Sequence, residues 1–381
     1  MAIELDNYHY DYRAIDGYNK PFNFIASPRE LGKTSMMWMK KIYLPWKRNH
    51  KPWIYLVRQS VEITSALIDS IKDTTINKFT DDNVEFVYKT SAFKDGIVDV
   101  FIVLHHFEKV KVTSKDEKGE MITEEIEQDI PENVLFFRIV SLNIMLRRIK
   151  LAVLKDIAGV FMDEYIINPK LQEKYLPDEA MKIKEAYTTW RRESTGILKF
   201  YIVGNPYTLF NPLFVDWDVD VGALKIGEFY VGETYVVHFA PLNPQLIAYL
   251  KSVNPLFNTD HVYSQYALYG KPINDQNIRL GTRPKNFYLR YVFFYKDKYV
   301  GVFQNRAYDI TDKFFIEFVD EVSAKRTIFC VDLDDLVERA VVLSLEERNR
   351  LNYFKDAFRK RNVVFKDINC YYFFKEIYNY L

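Results

Sequence analysis

The sequence predicts an α/β protein built on a mainly parallel sheet, followed by a smaller second domain. Three observations carry that prediction. Short apolar, β-rich runs alternate with segments of helical period from Phe22 to Val203. The first run opens onto the loop Ser27-Pro28-Arg29-Glu30-Leu31-Gly32-Lys33-Thr34 and then onto a helical segment. The chain, at 381 residues, exceeds the usual size of a single core.

The elements follow in order. Phe22 to Ala26 reads as a strand, and Lys33 to Tyr43 as a helix expected to stop at Pro45, whose missing N–H and ring end a helix. Trp53 to Arg58 is the next strand, and Ser60 to Phe79 carries Ile63, Leu67, Ile71 and Ile76 at near-helical spacing. Strand-like stretches follow at Val84 to Tyr88 and Ile97 to Phe107. Lys109 to Glu127 alternates charged and β-branched residues around Lys118-Gly119, the pattern of a projecting hairpin. It is either a solvated ribbon or a contact surface for a substrate or partner. Next come strand Val134 to Val140, helix Leu142 to Leu151, strand Ile157 to Met162, helix Pro177 to Glu193 and strand Ile197 to Val203. Strands separated by helices imply a sheet covered on both faces, with ligands at the carboxyl ends of the strands.

Composition excludes several classes. With 48% hydrophobic and 27% charged residues there is material for buried cores and little room for disorder. The 52 basic and 52 acidic residues cancel, so coating of nucleic acid by bulk charge is excluded and any such contact must be local. Cys330 and Cys370 are too few for a disulfide framework and read as buried thiols. The N-terminus carries charges and tyrosines where a signal peptide needs an apolar run, and no window reaches the ~18 apolar residues of a membrane span, so an intracellular location without membrane contact is expected.

The chemistry concentrates in three places. A phosphate-binding loop needs backbone N–H groups facing an anion, a flexible residue beside a lysine, and a helix N-terminus. In the Ser27 to Thr34 loop, Gly32 allows close backbone approach, Lys33 can reach the β and γ phosphates of ATP, and Thr34 can offer its hydroxyl to Mg²⁺. Ser27 stands where the consensus pattern has glycine. The second place is Ile157 to Glu164, an apolar strand ending in two carboxylates: Asp163 could hold Mg²⁺ through water and Glu164 could polarise an attacking water. The third is Asn205, after strand Ile197 to Val203, either a sensor of the γ-phosphate or an Asn-Pro turn initiator. Arg29, Lys150, Arg191 and Arg192 are candidates to neutralise transition-state charge, and Arg58 ends a strand on the same edge. Arg191 and Arg192 also suit a helix C-terminus simply by its dipole. His105 and His106 alternate across a strand and cannot chelate one metal together.

On these residues the chain resembles the DNA-packaging ATPases of small tailed bacteriophages of the phi29 type and, more distantly, the large terminase subunits. The family loop also departs from consensus and carries arginine at its third position, as Arg29 stands before Gly32-Lys33-Thr34. The resemblance implies a P-loop ATPase domain of the ASCE type at 1–241, a connecting region at 242–285 with Tyr269-Gly270 and Asp275 in family order, and a reduced RNase H-like domain at 286–381. It implies Asp163 as metal-associated carboxylate and Glu164 as catalytic base. Trp190-Arg191 matches a trans-acting arginine finger, and Lys150 a second trans-acting basic residue. It further implies a homo-oligomeric ring, a pentamer, that moves viral double-stranded DNA through the capsid portal, with a packaging RNA as a further candidate partner. The implied location is the host cytoplasm and, transiently, the procapsid portal vertex.

In the C-terminal segment, Tyr291 to Tyr295 and Tyr299 to Phe303 flank Lys296-Asp297-Lys298 as a hairpin, and Leu351 to Leu381 reads as a closing helical region. An RNase H-type nuclease needs several carboxylates around two metals. Asp297 falls in the turn, and Asp332, Asp334 and Asp335 read as a helix start, so the domain is expected to bind without cutting. Arg348, Arg350, Lys355, Arg359, Lys360 and Arg361 could meet nucleic-acid phosphates or form a solvated helix face. Two other readings remain: a different P-loop translocase or helicase, and a structural protein with an inactive loop.

Overall fold

Parallel strands buried on both faces must be apolar along their whole length, and that requirement selects the strands of the first unit. The computed structural model describes residues 9–80, 82–115, 121–167, 174–209, 211–259, 261–272, 278–306, 313–323, 326–331 and 336–381. Among them, β1 (Phe22–Ala26), β2 (Trp53–Val57), β6 (Gly159–Met162) and β7 (Phe200–Gly204) are buried at every position. With β3 (Phe86–Tyr88), β4 (Ile97–Lys115), β5 (Met121–Ser141), β8 (Phe229–Val231) and β9 (Tyr235–Phe239) they form a nine-stranded sheet, ordered β3-β4-β5-β2-β6-β7-β1-β9-β8, among the described residues. The run from β5 to β9 is parallel throughout, and β3, β4 and β8 are the antiparallel additions at the edges. The expected mixed α/β fold with a large, mostly parallel sheet is the one observed.

The helical run after the loop does not stop at Pro45. It begins at Lys33, widens into a π-helical stretch at Met37–Tyr43 and continues as Leu44–Asn49. The Leu44 N–H donates to Met39 O, a bond one residue longer than the α pattern. The missing N–H of Pro45 therefore falls where the wide ladder ends and the α ladder restarts, so no α bond is broken there. Trp38 anchors this run to the sheet, with its ring against Tyr55, Phe137 and Phe161.

The expected hairpin at Lys109 to Glu127 is the outer part of one continuous β4–β5 ribbon, in register from Ile97↔Val140 to Lys115↔Met121. Its tip, Lys118-Gly119, lies outside the described residues. His105 pairs with Asp129 and His106 with Glu132 from successive ribbon positions. The helix expected from Leu142 starts only at Leu146, after a turn.

Contacts divide the chain into two units. One runs up to Ile167, resumes as far as Asn205 and closes with Ile226–Asn258; the other holds Pro206–Lys225 and Thr259–Leu381. In the second unit, β10 (Phe287–Tyr295), β11 (Lys298–Asn305), β12 (Phe314–Phe318), β13 (Ile328–Cys330), β14 (Ala340–Val342) and β15 (Val363–Phe365) form a sheet ordered β14-β13-β10-β11-β12-β15. Lys296 and Asp297 both have positive φ, 46° and 60°, as a two-residue hairpin turn between right-twisted strands requires. Phe293, Val302, Phe314, Phe354 and Phe374 centre its core.

Two expectations for this unit need correction. Asp332, Asp334 and Asp335, like Asp275, lie outside the described residues, but the apolar run after them forms the strand β14 rather than a helix. Its β-branched Val341 and Val342 pair in parallel with β13. The closing region is not helical throughout either: β15 separates helices Asn352–Arg359 and Ile368–Tyr380 and adds to the sheet beside β12. Cys330 and Cys370 are both buried free thiols. Of the basic run, Arg350 pairs with Glu346, Lys360 with Asp356, and Lys355 donates to Leu381 O.

Candidate active site

Strand order brings the site together. β7 lies between β1 and β6, with Ala26 opposite Gly204 and Met162 opposite Ile202. The residues leaving these three parallel strands are the Ser27 loop, Asn205 and Asp163, so they meet at one carboxyl edge.

The loop is held at its root and turned by one glycine. Ser27, fully buried, donates its N–H to Gly204 O at 3.2 Å. Arg29–Leu31 form a single 3₁₀ turn, and Gly32 adopts φ 66°, ψ 20° before the helix begins at Lys33. A Cβ on Gly32 would come within 2.4 Å of the His9 ring, so both the left-handed backbone and the space demand glycine.

Lys33 is 4% exposed, and its Nζ donates to Asn205 Oδ1 at 2.7 Å. Burial pulls its ammonium down from the ordinary lysine value to about 8, against the pull of Asp163 and Glu164, and Arg29 adds to the lowering. An anion placed beside Lys33 would relieve that strain. Thr34 Oγ1 donates to Asp163 Oδ2 at 2.7 Å, and burial raises the Asp163 carboxyl against the effects of Lys33 and Thr34.

These residues fit both implied ligands. The buried ammonium and the helix start suit a polyphosphate, and the hydroxyl and carboxylate of Thr34 and Asp163 are the hard oxygen donors that Mg²⁺ takes alongside substrate oxygens. Among the described residues no group of three or more His, Cys, Asp or Glu gathers for a metal.

Glu164 has an exposed side chain and a backbone at φ 53°, left-handed and costly for a residue with a Cβ by about 1–2 kcal/mol. Its surroundings over-determine it. The Glu164 N–H donates to Asp163 Oδ1 at 2.9 Å, and the next N–H, that of Tyr165, to Val203 O at 3.1 Å. Arg58, from the end of β2, donates to the Glu164 and Tyr165 carbonyls at 3.4 and 3.0 Å. The same guanidinium makes a bidentate pair with Glu179 at 2.9 and 3.0 Å. Glu179 opens the helix Glu179–Trp190.

Sequence reasoning placed Arg58 on this edge but missed its partner. The available signal was a guanidinium at the end of an otherwise apolar strand, which obliges a counter-charge without saying where in the chain it lies.

Ser27, Gly32, Lys33, Thr34, Asn205, Asp163 and Glu164 are thus brought to one edge, with Arg29 exposed on the loop's 3₁₀ turn. Arg191 and Lys150 are not among them. Arg191 is exposed just beyond the far end of helix Glu179–Trp190, and Thr195, four residues on, accepts from Lys51, which precedes β2. This is the amino edge of the sheet, opposite the loop. Lys150 Nζ pairs with Glu185 at 2.5 Å, and buried Trp190 donates to Ile149 O at 3.1 Å, so both basic residues border one helix pair.

No family model and no curated protein sequence matches this chain. Solved structures do, among them two packaging-motor proteins. The Phi-28 gp11 DNA packaging motor is 15% identical with a TM-score of 0.58, over 97% of this chain and 97% of that one. A chain of the bacteriophage Phi-29 viral genome packaging motor assembly is 15% identical with a TM-score of 0.59, over 98% of this chain and 99% of that one. At this identity the likeness establishes the fold: from end to end, the chain is built on the architecture of these phage packaging-motor proteins.

Proposed function

We propose that this chain is the ATP-hydrolysing subunit of a motor that drives viral double-stranded DNA through a portal into a preformed capsid. The observation that carries the reading is the convergence of Lys33 on Asn205 and of Thr34 on Asp163, each at 2.7 Å, at one sheet edge. The architecture shared with two phage packaging motors supports DNA packaging over other translocation.

In this reading residues 1–241 are the P-loop ATPase domain, 242–285 a connecting region, and 286–381 an RNase H-like domain that binds nucleic acid without cutting it. Support for the last point is Asp297, which sits in a hairpin turn at φ 60° rather than on a strand beside other carboxylates.

Lys33 Nζ shares its hydrogen bonds between Asn205 and the β and γ phosphates, so Asn205 registers whether a γ-phosphate is present. Thr34 and Asp163 would hold Mg²⁺, which would supply positive charge against the phosphates. A Glu164 carboxylate oxygen accepts a hydrogen bond from the attacking water and takes its proton. Arg29 adds positive charge from the loop itself. Arg191 lies on the sheet edge away from its own Lys33, which supports its acting, with Lys150, on the nucleotide of a neighbouring subunit in a homo-oligomeric ring, a pentamer in this reading. The motor works at the procapsid portal vertex in the host cytoplasm, with a packaging RNA as a further candidate partner.

The test is phosphate release by the purified chain, with and without double-stranded DNA and portal-bearing capsids. ATP hydrolysis stimulated by both is expected. Absence of ATP binding at millimolar concentration with Mg²⁺ would instead mark an inert scaffold, and strand separation without packaging a helicase. Lys33→Ala should weaken binding of a fluorescent ATP analogue by about 10- to 100-fold, the loss expected for a buried charge-assisted contact.

A further inference from the structure

The segment ahead of β1 has no part in the chemistry described above, yet it grips the loop at successive residues. The Tyr10 N–H donates to Leu31 O at 3.0 Å, and Tyr12 Oη donates to Lys33 O at 2.8 Å. Between them in space lies Gly32, with the His9 ring against it. Tyr12 is 3% exposed, and its ring packs edge-on against Tyr10 and Tyr201.

The grip extends beyond the loop. Helix Tyr12–Asp16 ends on a carboxylate that pairs with Lys41 at 2.6 Å, on the helical run behind the loop. The same Asp16 meets Lys199 at 3.6 Å and the Tyr201 hydroxyl, both beside or on β7, the strand that leads to Asn205. One short segment therefore ties together the loop, the helix that follows it and the strand that carries the lysine's partner.

The loop has reason to need this. Its middle turns through a left-handed glycine, the least restrained residue type, and the lysine follows immediately. The Lys33 carbonyl already accepts the Met37 N–H within the helix. The Tyr12 hydroxyl is a second donor to that oxygen, so it is not needed to form the helix but fixes the peptide from which the lysine side chain springs. A catalytic constellation loses effectiveness when its supporting groups allow it to shift by a fraction of an ångström.

We propose that Tyr12 is a positioning residue of the nucleotide site, holding the Lys33 main chain so that the ammonium meets the phosphates. The inference rests on the ATP-binding reading of the loop. Tyr12→Phe in the full chain removes only the hydroxyl and keeps the ring. It should raise KM for Mg·ATP and the Kd of a fluorescent ATP analogue by about three- to tenfold, the fold-change of one hydrogen bond, with kcat within about twofold. Tyr43→Phe is the control: that part-buried hydroxyl donates to Asp82 at 2.8 Å, away from the loop, and its loss should leave KM and Kd unchanged.

Unchanged affinity in Tyr12→Phe while the wild type hydrolyses ATP overturns the inference alone, as does an equal rise in Tyr43→Phe. A wild type that binds no ATP overturns both the inference and the reading beneath it. Hydrogen exchange on the wild type gives a measurement that needs no variant to fold. The nucleotide should slow amide exchange at residues 10–16 together with 31–36, and protection confined to the loop counts against the brace.

Discussion

Glu164→Gln is expected to leave nucleotide affinity unchanged and to lower turnover by about 10²–10⁴-fold, the usual loss when a general base is removed. The substitution is nearly isosteric. It keeps the Glu164 main chain, through which Arg58 holds the residue, and leaves Lys33, Thr34 and Asp163 as they are. What goes is the carboxylate's negative charge and, with it, the capacity to take a proton. The measurement is steady-state phosphate release beside equilibrium binding of a fluorescent ATP analogue; turnover equal to the wild type would remove Glu164 from the mechanism. The left-handed backbone supplies an independent second result. At φ 53° a glycine carries no Cβ penalty, so Glu164→Gly should be equally inactive yet more stable to urea, by about 1 kcal/mol. A residue whose removal stabilises the fold while stopping the reaction is retained for its chemistry.

The legible parts of this site are those written locally. Gly32-Lys33-Thr34 after an apolar strand and Asp163-Glu164 at the end of another each announce themselves within eight residues or so, a span over which backbone periodicity and residue type decide structure. Parallel pairing then made their meeting predictable, since each leaves its strand at the same edge. What stayed hidden depends on partners far along the chain. Tyr12 acts on Lys33 and Glu179 on Arg58, and neither member of either pair carries a mark of the other. Pro45 misled for another reason: the rule that proline ends a helix assumes α bonding ahead of it, and the bonding there is π. The run after Asp335 misled because a few apolar residues suit helix and strand alike, and the vacant edge of β13 decided between them.

The largest effect on stability should come from Arg58 and Glu179. Their side chains are 10% and 0% exposed, so in place of water each charge relies chiefly on the other, helped by the Glu164 and Tyr165 carbonyls for Arg58 and the Leu176 N–H for Glu179. Glu179→Ala strands the guanidinium, and Arg58→Met strands the carboxylate; each should cost about 3–5 kcal/mol, read as a fall in the urea midpoint of the unit that contains them. Losses within about 1 kcal/mol would mean that water reaches the pair after all. Arg58→Met combined with Glu179→Leu removes both charges and should recover much of that loss, because an apolar pair of similar volume can replace a buried ion pair. Recovery of stability should not restore ATPase activity. With Arg58 gone, the Glu164 and Tyr165 carbonyls lose the donor that helps hold the left-handed turn, and the exposed carboxylate can leave the place where, in the proposed mechanism, it accepts the attacking water's proton. A stable but slow double variant would therefore separate the two roles of this arginine, one in holding the helix Glu179–Trp190 to the sheet and the other in presenting Glu164.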